Sequence, residues 1–173
     1  KQIAAGAGWR SKGTPGAGQR AMRTWVEIDT NAARRNAVVV RSLLGGGALI
    51  AVVKADGYGH GAAQIVRALS GVADSFAVAS PAEAEAVLPY AGCAPVMCLY
   101  PLVREDAVHA LSIGVGVTVG SVDEAEALVD TAATLDAVAQ AHVKVNTGMN
   151  RHGATASDAA RIVELVRSSP QVE

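Results

Sequence analysis

The stretch Ala48-Leu49-Ile50-Ala51-Val52-Val53-Lys54-Ala55-Asp56-Gly57-Tyr58-Gly59-His60-Gly61 sets the reading of the chain. Six apolar residues, three of them β-branched, run without polar alternation into a lysine and then into a turn with alternate glycines. An unbroken apolar run this short is the pattern of a strand buried on both faces, as in a parallel sheet covered by helices. Four more runs share it: Phe76–Ala79, Val96–Leu99, Val115–Val119 and Ala141–Val145. Their starts recur about every 23 residues, the length of successive βα units.

The segments between the runs carry helix-start signals. Ser80-Pro81-Ala82-Glu83 and Ser121-Val122-Asp123-Glu124 each place a serine at the cap and a glutamate three residues on, the first with proline at the opening helical position. In the helix predicted over 121–132, Val122, Ala125, Leu128 and Val129 share one stripe, which would lie on the sheet. A last helix is expected over Ala156–Arg167, followed by the approach to a sixth strand. The fold class is therefore α/β: either an open doubly wound sheet, or the first five βα units of an incomplete (β/α)8 TIM barrel, a fold of roughly 250 residues when whole. A further early strand, Trp25–Ile28, falls outside the spacing.

Composition narrows the function classes. The 173 residues are 50% hydrophobic and 18% charged with a net charge of −1, which excludes a disordered tail and a strongly basic nucleic-acid binder. Aromatics at 3% exclude a base-stacking platform. Cys93 and Cys98 sit in or beside an apolar run with no histidine at ligand spacing, so reduced thiols and no metal are expected. No apolar stretch reaches the roughly 18 residues of a membrane span, and a soluble, cytoplasmic protein is the expectation. Residues 1–23 carry five basic side chains, no acid and many small residues, leaving −6 for the remainder. They are expected to form a flexible basic tail before a 24–173 domain, with Met22 a candidate start and the opening at Lys1 suggesting a fragment or processed chain.

Chemistry concentrates at two strand ends. Lys54 closes the most apolar strand, at the carboxyl end where α/β folds place their sites. Burial there would leave a neutral amine able to attack an aldehyde. Tyr58 offers a hydroxyl to an anionic oxygen, and the glycines allow close approach of the backbone. The second cluster, Lys144-Val145-Asn146-Thr147-Gly148-Met149-Asn150-Arg151-His152-Gly153, again follows a predicted strand and holds Arg151, a fixed fork for carboxylate or phenolate. Gly114-Val115-Gly116 and Gly45-Gly46-Gly47 lack the spacing and partners of nucleotide loops. His109 and His142 are isolated, and Glu83, Glu85, Glu124 and Glu126 read as solvated or capping charges.

Together the two clusters resemble the bacterial alanine racemases: Val53 to Gly61 is similar to that family's pyridoxal-phosphate attachment motif, and Lys144 to Arg151 to its second active-site segment. The likeness extends over about residues 24–173. It implies a PLP-dependent isomerase that interconverts L-alanine and D-alanine for peptidoglycan, built as a barrel plus a β-rich domain and working as a homodimer. Lys54 would bind pyridoxal 5'-phosphate covalently and act as acid or base on one face of the substrate. Tyr58 would hold the phosphate, and Arg151 the phenolic oxygen and the substrate carboxylate. Lys144 matches a position often carbamylated in the family. Asn146 stands where the family commonly has Asp, and His152 where an aliphatic residue is usual. The tyrosine for the opposite face would come from the partner's second domain, beyond Glu173, so these residues alone are expected to show negligible racemase activity. The alternative is a truncated, non-catalytic homologue that binds the cofactor or a partner.

Overall fold

All five apolar runs form parallel strands: β1 (Ile50–Val52), β2 (Ser75–Val78), β3 (Val96–Cys98), β4 (Val117–Val119) and β5 (Ala141–Val143). The computed structural model describes residues 26–173, and the basic tail, Met22 and Trp25 lie outside them. β1 pairs with β2, β2 with β3, and β4 with β5. The two groups join where Cys98 donates to Gly116 O (2.8 Å) and Gly116 to Val96 O (2.9 Å). Strand order thus follows chain order, as in a barrel wall. A doubly wound sheet would instead reverse at a switch point. Gln171–Glu173 already runs beside β5, with Ala139 donating to Gln171 O and Ala141 to Glu173 O, both at 2.8 Å. The expected sixth strand begins there.

Among the described residues, six right-handed helices follow or precede the strands: α1 (Thr30–Leu43), α2 (Ala62–Leu69), α3 (Pro81–Ala91), α4 (Arg104–Ser112), α5 (Val122–Leu135) and α6 (Ala156–Ser168). Each packs on the next in chain order, forming one outer layer over the sheet. Ser80, Ser121 and Thr155 accept from the amides of Glu83, Glu124 and Asp158, which satisfies donors that a helix start leaves free. Between helices and strands lie Val66, Phe76, Val78, Val87, Cys98, Ala125 and Ile162, all essentially inaccessible. The stripe predicted on α5 buries Ala125 and Leu128, with Val122 and Val129 half-buried at its margins. Burial pushes the Cys98 thiol up to about 11.

Two expectations need correction. Double burial holds for β2, β3 and β4 but not for β1 or β5: Ile50 and Val52 are 49% and 41% exposed. Residues 50 and 52 share one face of β1, and among the described residues β1 has a neighbouring strand on one edge only. The early strand is also absent from the described residues. Residues 26–28 pair with no strand among the described residues and lead into Asp29, whose carboxylate accepts from Ala32 N (3.0 Å) to cap α1. α1 itself buries no side chain and is held by arginines. Arg34 donates to Ala68 O and Ser70 O at the end of α2, and Arg41 to Val72 O and the Asp74 carboxylate.

Candidate active site

Beyond β1 the chain turns the wrong way for an ordinary helix. Val53 still donates to Ala77 O (2.8 Å), but Ala55, Asp56, Gly57, Tyr58 and Gly59 all have φ between 52° and 80°. Left-handed backbone costs a non-glycine residue roughly 1–2 kcal/mol, so this turn must be held from outside. Three contacts do so. Gly57 N donates to Val53 O (2.8 Å), the Asp56 carboxylate accepts from Ala62 N (2.8 Å) at the start of α2, and Glu83 Oε1 accepts from Ala55 N (3.0 Å). Gly57 also needs to be glycine for space, since an added Cβ would lie 3.3 Å from the Ala62 backbone.

Glu83 belongs to α3, after the neighbouring strand, and its other oxygen accepts from Ala79 N (2.8 Å). A standard capping box would return that oxygen to the Ser80 amide. Here it goes one residue earlier and leaves Oε1 free to cross to the Lys54 turn. The reading of Glu83 as a capping or solvated charge therefore missed its reach across strands.

Lys54 is half-buried, and its Nζ lies 2.9 Å from the hydroxyl of Tyr100. That hydrogen bond holds its pKa above the ordinary lysine value, with desolvation acting the opposite way and more weakly. The expectation of an amine kept neutral by burial is thus corrected: a strand end on an open rim stays wet, and a hydrogen-bond acceptor outweighs it. The Tyr100 hydroxyl is shifted down, first by the bond from Lys54 and also by the charges of Lys54, Arg151 and Lys144. Tyr58 lies on the same turn, 60% exposed.

The second cluster is a self-closed loop after β5. Lys144 N donates to Val119 O, extending the ladder, and the loop shuts where Ala154 N donates to Lys144 O (2.8 Å) and Asn146 N to Ala154 O (2.9 Å). Inside it, Asn146 Oδ1 accepts from the amides of Gly148 and Asn150 (3.1 Å each), while its Nδ2 donates to Asn150 Oδ1 (2.8 Å). Arg151 is exposed, with Met149 Sδ beside its guanidinium (2.8 Å). His152 reaches back to α5, its Nε2 3.0 Å from Glu124 Oε2, and that same oxygen accepts from Gly120 N (2.7 Å). Glu124 thus repeats the bridging geometry of Glu83 one site loop further on. His109, read as isolated, sits 3.3 Å from Glu85 across the helix layer.

Lys54, Lys144 and Arg151 all lie near enough to Tyr100 for their charges to lower its pKa, and among the described residues none of the three cations has an acidic partner. Unpaired cations at strand ends suit an anionic ligand. Tyr100 was the residue that sequence reasoning missed. It stands at the carboxyl end of the Val96–Leu99 run, the same criterion that singled out Lys54, and that position was the available signal.

Comparison with known proteins places the chain in a family. Residues 28–173 match the family model described as alanine racemase, N-terminal domain. Among similar curated proteins, the alanine racemase of Mycolicibacterium smegmatis is 36% identical over 141 residues, covering 81% of this chain and 36% of the relative. That of Syntrophobacter fumaroxidans is 36% identical over 132 residues, covering 75% of this chain and 35% of the relative. Among solved structures, alanine racemase from E. faecalis superposes with a TM-score of 0.77 at 30% identity, over 84% of this chain and 40% of that one. The enzyme of Streptomyces coelicolor gives 0.76 at 29% identity, with 84% and 40% covered. The chain spans little more than a third of the curated relatives' length. With its sequential parallel strands and the two site loops at their carboxyl ends, the chain belongs to the alanine racemase family, matching its N-terminal domain.

Proposed function

We propose that residues 24–173 are the cofactor-binding part of a pyridoxal-phosphate-dependent racemase acting on alanine. The observation that carries this reading is the convergence of a strand-end primary amine, Lys54, with two further cations that lack acidic partners. An aldehyde bearing a phosphate would fit that donor set: the amine would bond to the carbonyl carbon, and the cations would donate hydrogen bonds to the anionic oxygens. When bound, the cofactor supplies an electron sink for the carbanion.

The chain's own residues supply position and protons. Lys54, held on its left-handed turn by Glu83 and Asp56, would accept or deliver a proton at the substrate Cα on one face. Tyr58, exposed four residues along, would donate to the phosphate. Arg151 would hold the phenolic oxygen and the substrate carboxylate through its fork. Lys144, half-buried and without an acidic partner among the described residues, would be the carbamylation site, a change from cation to anion that would orient Arg151. The opposite-face acid, the homodimer, a cytoplasmic location and the supply of D-alanine to peptidoglycan belong to the same proposal. No helix among the described residues is long and apolar enough to cross a membrane.

The test is chemical trapping. The 173-residue chain is incubated with pyridoxal 5'-phosphate, reduced with borohydride and mapped by peptide mass. The reduced adduct is expected on Lys54 and lost in Lys54→Ala, and an adduct on Lys144 instead, or on neither, would overturn the assignment.

A further inference from the structure

Lys54 and Tyr100 follow the ends of β1 and β3, which β2 separates, and their long side chains meet beyond the strand ends. In barrels, side chains from alternate strands share interior layers, and Lys144 after β5 continues the same alternation. Tyr100 stands at a bend two residues past the end of β3, just before Pro101, and from there its hydroxyl meets the Lys54 amine at 2.9 Å. Leu99 N still donates to Val78 O (2.9 Å), which fixes the strand up to the preceding residue.

Every other group near the amine is engaged or has the wrong charge. Glu83 uses both oxygens on the amides of Ala55 and Ala79, and the Asp56 carboxylate is bound to Ala62 N. Arg151 repels the ammonium, while Tyr58 acts on it only through space. Among the described residues the Tyr100 hydroxyl is the sole hydrogen-bond partner of Nζ.

We propose that Tyr100 tunes Lys54 as a positioning residue, its phenolic oxygen accepting a hydrogen bond from the amine and holding it as ammonium, so that less of the neutral, nucleophilic amine is present at a given pH. No bond of the tyrosine forms or breaks, and the proton that the amine loses before it attacks a carbonyl carbon passes to solvent at the exposed rim. The proposal rests on the reading of Lys54 as the attachment site only for the identity of the carbonyl compound.

Two measurements on the full chain separate the two ideas. The titration of Lys54 is followed by NMR of 13C-methylated lysines, assigned by the signal lost in Lys54→Arg, in wild type and in Tyr100→Phe. Removing the hydroxyl is expected to move the Lys54 titration to lower pH, a readout that a purely structural tyrosine would leave alone. The borohydride-trapped adduct with pyridoxal 5'-phosphate at neutral pH is expected to rise about two- to five-fold in Tyr100→Phe, the ordinary range for an exposed charged contact. An unmoved Lys54 titration overturns the role of Tyr100 whether or not the adduct forms. A shifted titration with no adduct on Lys54 in either protein supports Tyr100 and sinks the cofactor reading instead.

Discussion

Glu83 and Glu124 stand at the same step of their βα units, and each ties its own strand end to a neighbouring site loop. Glu83 joins Ala79 N to Ala55 N beside Lys54, and Glu124 joins Gly120 N to His152 beside Arg151. Both follow a Ser-x-x-Glu helix start, so one local motif serves twice, as a helix cap and as a brace for the rim.

Glu83→Gln keeps one carbonyl acceptor, whereas Glu83→Ala removes both. Hydrogen exchange at the Ala55 and Ala79 amides should accelerate in Glu83→Ala, with about 1–3 kcal/mol of local stability lost for the charged acceptor. The glutamine variant should release one amide and keep the other. The left-handed turn then loosens, and trapping of Lys54 should slow in the same order, alanine more than glutamine.

Gly120→Ala tests the second brace. An added Cβ would lie 2.5 Å from His152 Nε2 and 2.9 Å from Gly153 Cα, and the backbone contact cannot be relieved by a rotamer change. The Arg151 loop should be displaced from α5, with a stability loss of about 1–3 kcal/mol by denaturant unfolding, the usual cost of overpacking. An unchanged midpoint would contradict the close approach of the loop to β4.

Asn146→Asp should leave the loop closed. The carboxylate still accepts from the Gly148 and Asn150 amides, and a half-turn of the Asn150 carboxamide presents its Nδ2 to the second oxygen. Exchange of the amides at Gly148 and Asn150 is expected to be no faster in Asp than in Asn. Asn146→Ala, which removes the acceptor, should accelerate both.

Asp74 makes folding stability depend on acid. The Arg41 guanidinium, and then the Leu49 amide, hold its carboxyl below the usual 3.8, so its contribution is complete above that value and lost as pH falls through the lower folded-state value. Urea unfolding across the acid range should show a smaller fall in stability for Asp74→Asn than for wild type. At neutral pH the variant should be the less stable, because α1 and the entry to β1 lose their common anchor.

Racemisation needs proton delivery on both faces of the substrate, and only Lys54 is assigned to one of them. The 173 residues alone should therefore give negligible interconversion of L- and D-alanine in a coupled turnover assay, even where the Lys54 adduct forms. A rate comparable with that of a complete racemase would show that the second acid lies within these residues.

The sequence by itself determined the strands, their chain order and the helix starts, because apolar runs and Ser-x-x-Glu caps act over a few neighbouring residues. It also singled out Lys54, Tyr58, Lys144 and Arg151, which share strand-end positions with polar neighbours. Only the tertiary structure decided between a barrel wall and a doubly wound sheet, since both use the same units and differ in which strands pair. It alone placed Tyr100 on Lys54, Glu83 on Ala55 and Glu124 on His152. Those contacts join residues 28 to 46 positions apart, and their partners are set by which strands pair rather than by local pattern. The amine's proton affinity followed from that geometry: a hydroxyl two strands away, not burial at its own strand end, governs Lys54.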